Sequence, residues 1–234
     1  MRKLEAILWA VFLAALLAIP SGRVGFAQEG NLKANLDLPF EAAGEDEEEE
    51  AAPETIIFYG QQYEADFFCF VADRSGSMNI NGRWQKLQNE VAKTITGFSE
   101  RVQFGIVFIA NQLTKFPASG QPAEANPAQK EAAISMVMST QTDRGSCYME
   151  GLIEGLCIAA RSTSKRKVII CLGDGEVACN GADGVTLVQQ TLSAVKARNV
   201  MGTKINTIGI GVAYGEPFMK TLAQQNNGQY KREE

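Results

Sequence analysis

"DFFCFVADRSGSM" occupies residues 66–78 of this 234-residue chain and joins two unlike halves. Asp66 to Ala72 is apolar without alternation after its first residue. Such runs suit strands covered on both faces, as in a parallel sheet. The second half sets Asp73, Ser75, Gly76 and Ser77 at the end of that strand. Asp, Ser and Gly each suit a turn for local reasons. They also make a set of hard oxygen ligands. The stretch alone does not separate the two readings, because short motifs often match by chance.

Outward from it the texture repeats. Val102 to Ala110, Lys167 to Leu172 and Lys204 to Val212 are further apolar runs, and "TIIFYG" at 55–60 reads as a short strand. Helical spacing lies between them. Arg83 to Phe98 places Leu87, Val91 and Ile95 on one face. Pro127 opens a helix, a position where proline is tolerated. Met149 to Ala160 carries Leu152, Leu156 and Ala160. Val185 to Arg198 carries Val185, Val188, Leu192 and Val195. Pro217 opens a last helix that Gly228 would end. Strands alternating with helices predict a doubly wound α/β fold, Rossmann-like, with a mostly parallel central sheet and helices on both faces. Only two residues separate Ala110 from Leu113–Phe116. That spacing predicts a hairpin and hence one antiparallel edge strand.

Ligands of such sheets bind beyond the carboxyl ends of the strands, where strand order reverses. Three loops reach that rim. The first holds Asp73, Ser75 and Ser77. The second, "TQTDRGSCY", holds Thr140, Thr142, Asp143, Gly145 and Ser146. The third follows Leu172 with Gly173, Asp174, Gly175 and Glu176. Carboxylates beside hydroxyls favour a small hard cation, with Mg²⁺ keeping some of its waters. Ser75 and Ser77 are two apart, so both point the same way if the strand's alternation continues.

Composition narrows the field further. There is no histidine, which removes histidine triads, general bases and metal ligands together. The net charge of −5 misleads, since "EDEEEE" at 45–50 supplies six acids, and from Glu54 onward the balance is near +1. No basic patch interleaved with aromatics suggests nucleic acid. Arg2 and Lys3, the apolar stretch Ala6–Ile19, then "VGFAQ" at 24–28 have the layout of a secretory signal peptide, with cleavage expected after Ala27. Left uncleaved, the segment would act as an anchor. The expected organisation is a signal peptide over 1–27, an acidic linker over 28–54 and one folded domain over 55–234, located in the periplasm or outside the cell.

Taken together, the three loops resemble the von Willebrand factor type A domain. "DRSGSM" fits that family's D-x-S-x-S signature, "RGSCYMEGL" at 144–152 is similar to its middle loop, and "GDGE" at 173–176 to its later Asp-Gly loop. The resemblance covers roughly residues 55–232. It implies that Asp73, Ser75, Ser77, Ser146 and Asp174 form a metal-ion-dependent adhesion site. The cation would be Mg²⁺, with Mn²⁺ or Ca²⁺ as alternatives. The hydroxyls would touch it, the acids would act directly or through water, and a carboxylate from a protein partner would complete the shell. Three features depart from the pattern. Ser146 stands where threonine is commoner. Gly173 replaces a threonine often found before the Asp-Gly pair. The short strand expected at Gln229–Arg232 leaves no room for the family's last helix.

Other residues receive plainer readings. Cys147 and Cys179 flank two of the loops and are candidates for a bridge, although connectivity does not follow from sequence. Cys69, Cys157 and Cys171 read as buried thiols. Trp84, Phe98, Met136 and Met138 read as packing. Arg74, Asp143 and Glu176 read as rim or loop groups.

The function expected is a non-enzymatic, metal-dependent protein-binding module. The alternative is a Mg²⁺-dependent hydrolase or phosphotransferase with Asp73 as nucleophile. It lacks an evident second group to handle the proton. A nucleotide site is disfavoured, because "GIGVAYGEP" at 209–217 lacks the phosphate-loop glycine spacing at the first strand-to-helix turn.

Overall fold

The computed structural model describes residues 51–211 and 213–233. The expected signal peptide and nearly all of the expected linker lie outside the described residues. Among the described residues no helix is long and apolar enough to cross a membrane.

The apolar run ahead of the Asp-Ser-Ser loop forms β3, Phe67–Asp73, and all seven of its residues are buried. Its neighbours are β4 (Gln103–Ile109) and β7 (Lys167–Gly173), both parallel to it. Beyond β7 come β10 (Lys204–Ile210) and β11 (Tyr230–Glu233), again parallel. Beyond β4 comes β5 (Thr114–Phe116), antiparallel, as the two-residue gap predicts. The two-residue β6 (Ala123–Glu124) also pairs with β4 antiparallel. The resulting sheet order is β11-β10-β7-β3-β4-β5.

Side chains of β3 alternate between two cores. Phe68, Phe70 and Ala72 face α1 (Arg83–Gly97) and α2 (Pro127–Ser139); Phe67, Cys69 and Val71 face α3 (Tyr148–Arg161), α4 (Val185–Arg198) and α5 (Glu216–Gln225). Burying each Phe contributes roughly 1.5–3 kcal/mol, so this strand anchors both layers. The expected helical faces hold with edits. Leu87, Val91 and Ile95 are fully buried, but Val185 is 78% exposed at the first turn of α4. Ala160 is exposed, and Ala159 takes the buried position instead. Gly151 and Gly155 let α3 press onto the sheet. A Cβ on them would come within 2.5 Å of Ile109 and 2.7 Å of Val71.

The first layer also contains a hairpin of which only the first strand is expected from the sequence. "TIIFYG" forms β1 (Glu54–Phe58), but it turns back at once into β2 (Gln61–Ala65), making a separate hairpin. Tyr59 and Gly60 both have positive φ, 48° and 69°, as a two-residue turn matched to strand twist requires. Ile56, Phe58, Tyr63 and Ala65 pack into the α1 layer, with Phe58 5.1 Å from Phe70. Glu54, assigned to the end of the linker, lies within β1 and its carboxylate accepts from the Ser99 hydroxyl at 2.8 Å.

Two further expectations are corrected. Met138 is 43% exposed rather than core. Asn227, not Gly228, supplies the left-handed residue after α5, with φ 55°. The Gly228 N–H then closes the helix onto the Ala223 carbonyl at 2.9 Å.

Candidate metal centre

From β3 the chain passes through α1 to β4 on one side; from β7 it passes through α4 to β10 on the other. Strand order therefore reverses between β3 and β7. Asp73 ends β3, and Asp174 directly follows β7. Two carboxylates thus face the crevice where such sheets bind ligands.

Asp73 is fully buried. Its Oδ1 accepts from the Ser75 N–H at 2.7 Å and its Oδ2 from the Tyr148 hydroxyl at 3.0 Å. Burial, then the charge of Asp174, push its pKa up to about 7 against the opposing pull of those hydrogen bonds. Ser75 Oγ and Ser77 Oγ lie 2.9 Å apart, so both hydroxyls do point to one place. The other half of the rim is built from two segments. Asp174 Oδ1 accepts from the Glu176 N–H at 3.0 Å. The Ser146 hydroxyl donates to the Glu176 carbonyl, and Ser146 forms a strand-like bridge with Ala178 in β8 (Ala178–Cys179). β8 pairs with β9 (Ala182–Asp183). Asp73, Ser75, Ser146 and Asp174 are all buried, and Ser77 is partly so.

Tyr148 joins the two halves. Its hydroxyl donates to Asp73 and accepts from the Gly175 N–H at 3.1 Å. Burial first, then Asp73 and Asp174, hold its pKa well above the usual phenol range, so it stays a donor. Nothing local in "RGSCYMEGL" marks it for that role. It also explains Gly173, where a Cβ would fall 2.2 Å from the Tyr148 hydroxyl and 2.5 Å from Asp73 Cβ. The tyrosine oxygen fills the room a side chain at 173 would need.

Arg74 is a correction. It is 8% exposed rather than a rim residue. Its guanidinium donates to the Gln141 carbonyl at 3.1 Å and the Gln112 carbonyl at 3.2 Å, and pairs with Asp143 at 3.3 Å. It therefore ties the middle loop to the first and does not neutralise Asp73. Asp143 is bridged to Ser75 through the backbone, but its carboxylate accepts from Arg74 and from the Arg144 N–H; the Thr140 hydroxyl caps α2 through Met136. Thr142 accepts from Asn79 at 2.7 Å. The Glu176 side chain is exposed. Cys147 and Cys179 do form a disulfide. With Glu150 they make a compact group of potential metal ligands, but the bridge consumes both sulfurs. Cys69 and Cys171 are buried thiols as expected, whereas Cys157 is partly exposed and lies 3.2 Å from Arg198 Nη2.

The cluster fits a hard divalent cation on three counts. All its donors are oxygen, which suits Mg²⁺, Mn²⁺ or Ca²⁺. The Ser75 and Ser77 oxygens lie 2.9 Å apart, at hydrogen-bond distance, so a cation there can draw on both hydroxyls. Ser146 gives its proton to a carbonyl and so keeps lone pairs to offer.

The chain is thus a doubly wound α/β domain with an oxygen-rich cluster at its switch point. The family model for the von Willebrand factor type A domain matches residues 68–232, and the chain belongs to that family. The sequence finds no match among curated proteins. Solved structures similar to it include a von Willebrand factor type A protein from Catenulispora acidiphila, at 16% identity and TM-score 0.63 over 74% of this chain and 40% of that one. The pilus adhesin SpaC from Lactobacillus rhamnosus GG, in an open conformation, follows at 17% identity and TM-score 0.59 over 74% and 28%. Proximal thread matrix protein 1 from the mussel byssus, described with a zinc-occupied MIDAS motif, matches at 20% identity and TM-score 0.54 over 76% and 43%. The chain thus spans less than half the length of these relatives. At such identities they show a shared fold.

Proposed function

We propose that this protein is an extracytoplasmic, metal-dependent protein-binding module of the adhesion type, without catalysis. Asp73, Ser75, Ser77, Ser146 and Asp174 hold a divalent cation, with Mg²⁺ the best fit to the donor set. When bound, the cation supplies a positive centre able to take a carboxylate from a protein partner. The observation that carries this reading is the buried Asp73–Asp174 pair. Two like charges share one crevice, and the adjacent Arg74 is turned away to other partners. A cation between them offsets both the desolvation and the repulsion.

The chain's own residues prepare the centre. Tyr148 and the Ser75 N–H fix the Asp73 carboxylate, and the Glu176 N–H fixes Asp174. The same contacts weaken the hydrolase alternative. Both Asp73 oxygens already accept hydrogen bonds and the residue is fully buried, which suits a fixed ligand better than an attacking nucleophile. The Cys147–Cys179 bridge supports an oxidising compartment, in keeping with the signal-like N-terminus. That two similar structures are an adhesin and a byssal matrix protein supports the binding role.

Thermal unfolding with and without metal tests the reading. Millimolar Mg²⁺ or Mn²⁺ is expected to raise Tm, and EDTA to reverse the rise. An unchanged Tm in Mg²⁺, Mn²⁺ and Ca²⁺ alike would overturn it.

A further inference from the structure

The end of the sheet opposite the metal rim carries a pocket of about 320 Å³. Lys204 opens β10, Val168 stands near the start of β7, and both line it. Asp174 follows the far end of β7, roughly 20 Å away at about 3.3 Å per residue. One wall is β2, and the loop before β11 closes the other side. Ile205 belongs to the core under α3, α4 and α5, and Ile208 to the opposite core. Strand alternation therefore turns Asn206 toward the face where the β1–β2 hairpin packs.

Two buried polar groups of the lining lack a partner. Asn206 is 3% exposed. Its Oδ1 accepts from the Gln229 N–H at 2.9 Å, while its Nδ2 meets no acceptor among the described residues. Tyr63 is 5% exposed, and its hydroxyl is buried with no partner. Burial pushes that phenol up to about 12, so it stays a donor. Buried donors left unpaired cost free energy that a hydrogen-bonding ligand recovers.

We infer that this pocket takes one neutral sugar ring of a glycan, and does so without the metal. Gln61, Gln62, Asn206, Asn227 and Gln229 all line it. An amide offers a donor and an acceptor together, which matches a hydroxyl that also does both. Bonds among these side chains leave capacity to spare. Gln61 donates to Gln229 and Gln62 to Glu64, each at 2.7 Å. The Gln61 and Gln62 carbonyl oxygens and the Gln229 Nε2 stay open. The charged lining residues are Glu64 and Lys204, one of each sign, so neither an anion nor a cation is favoured. Val168 and the Tyr63 ring add a small apolar surface for the C–H groups of a sugar. A peptide lying along β2 would pair with strand backbone and would not need converging amides.

The test is saturation-transfer NMR with the methyl glycosides of glucose, galactose, mannose and N-acetylglucosamine. At least one is expected to bind with a roughly millimolar Kd, equally in Mg²⁺ and in EDTA. Gln229→Ala and Gln62→Ala change exposed side chains, and each is expected to weaken binding about fivefold. Asp73→Asn should leave it unchanged. The inference is overturned if none of the four glycosides binds, or if binding survives both amide variants undiminished. Binding lost in EDTA or in Asp73→Asn would move the sugar to the metal rim. Displacement of the glycoside by an equal concentration of N-acetyl-trialanine amide would make the pocket a peptide groove. Either result overturns the inference too, and the metal reading is judged separately by its own Tm response.

Discussion

The two halves of the oxygen cluster are built in different ways. The Asp73 half comes from one contiguous loop, in which the Ser75 N–H meets Asp73 and Ser75 meets Ser77, with added support from the Tyr148 hydroxyl and the Ser75–Asp143 bridge. The Ser146–Asp174 half is assembled from two distant loops, held by a backbone bridge from Ser146 to Ala178 and stapled by Cys147–Cys179. Residues close in sequence can be aligned largely by a turn. Residues far apart need an external brace, and here part of it is covalent. The first half should therefore fail through loss of ligands, and the second through loss of its brace.

The largest expected effect is on the first half. Asp73→Asn keeps the volume of the side chain and removes its charge. The Mg²⁺-induced rise in Tm should vanish, while the metal-free protein stays folded, because losing one buried like-charge contact offsets the one acceptor an amide cannot replace. Differential scanning calorimetry in Mg²⁺ and in EDTA measures both. A preserved metal response would remove Asp73 from the ligand set.

Next comes the brace. Replacing both Cys147 and Cys179 by serine opens a loop of 32 residues in separation, and should cost about 3–4 kcal/mol in denaturant unfolding. Metal affinity should weaken without disappearing, because the Ser146–Ala178 backbone pairing remains. Should the metal response disappear completely in a folded variant, the staple would be a condition for the site rather than a support.

Arg74 ties the halves together and ranks third. Arg74→Ala leaves the carbonyls of Gln112 and Gln141 without their donor, at a cost of about 2–3 kcal/mol. Asp143→Ala breaks only the pair whose acid is 50% exposed, and should cost less than about 1 kcal/mol. Equal losses from the two would mean that the ion pair, rather than the carbonyl contacts, carries the tie.

How much of this was legible follows the same division. The contiguous half was readable because apolar run, acid and serines sit side by side in "FFCFVADRSGSM". The parallel strands were readable too, since burial on both faces erases alternation. The β1–β2 hairpin was only half seen. Its second strand, "QQYEA", is short and polar, and its turn is Tyr-Gly rather than the Asn-Gly or Asp-Gly that announces such turns. Arg74 was misread because nothing local reveals that its partners are backbone carbonyls at 112 and 141. Tyr148 was passed over for the same reason. Its role needs Asp73 and Gly175, which are brought to it only by the sheet. The glycine at 173 was its sole local trace, and it became interpretable once the tyrosine hydroxyl was found in the room a side chain would take.

A further modest effect is expected at Ser146, and it separates a ligand from a spacer. The residue is 3% exposed and its hydroxyl donates to the Glu176 carbonyl. Ser146→Thr keeps that hydroxyl and adds a methyl that stiffens χ1. The crowding costs roughly 1 kcal/mol of stability, while Mg²⁺ affinity should stay within about fivefold of wild type. Ser146→Ala avoids the crowding but removes the oxygen. It should lose more affinity than the threonine variant despite being the smaller change in volume. Isothermal titration with Mg²⁺ gives the ranking directly. If alanine binds the metal as well as threonine does, the hydroxyl only pins the Glu176 loop, and the cation is held by the Asp73 loop and Asp174 alone.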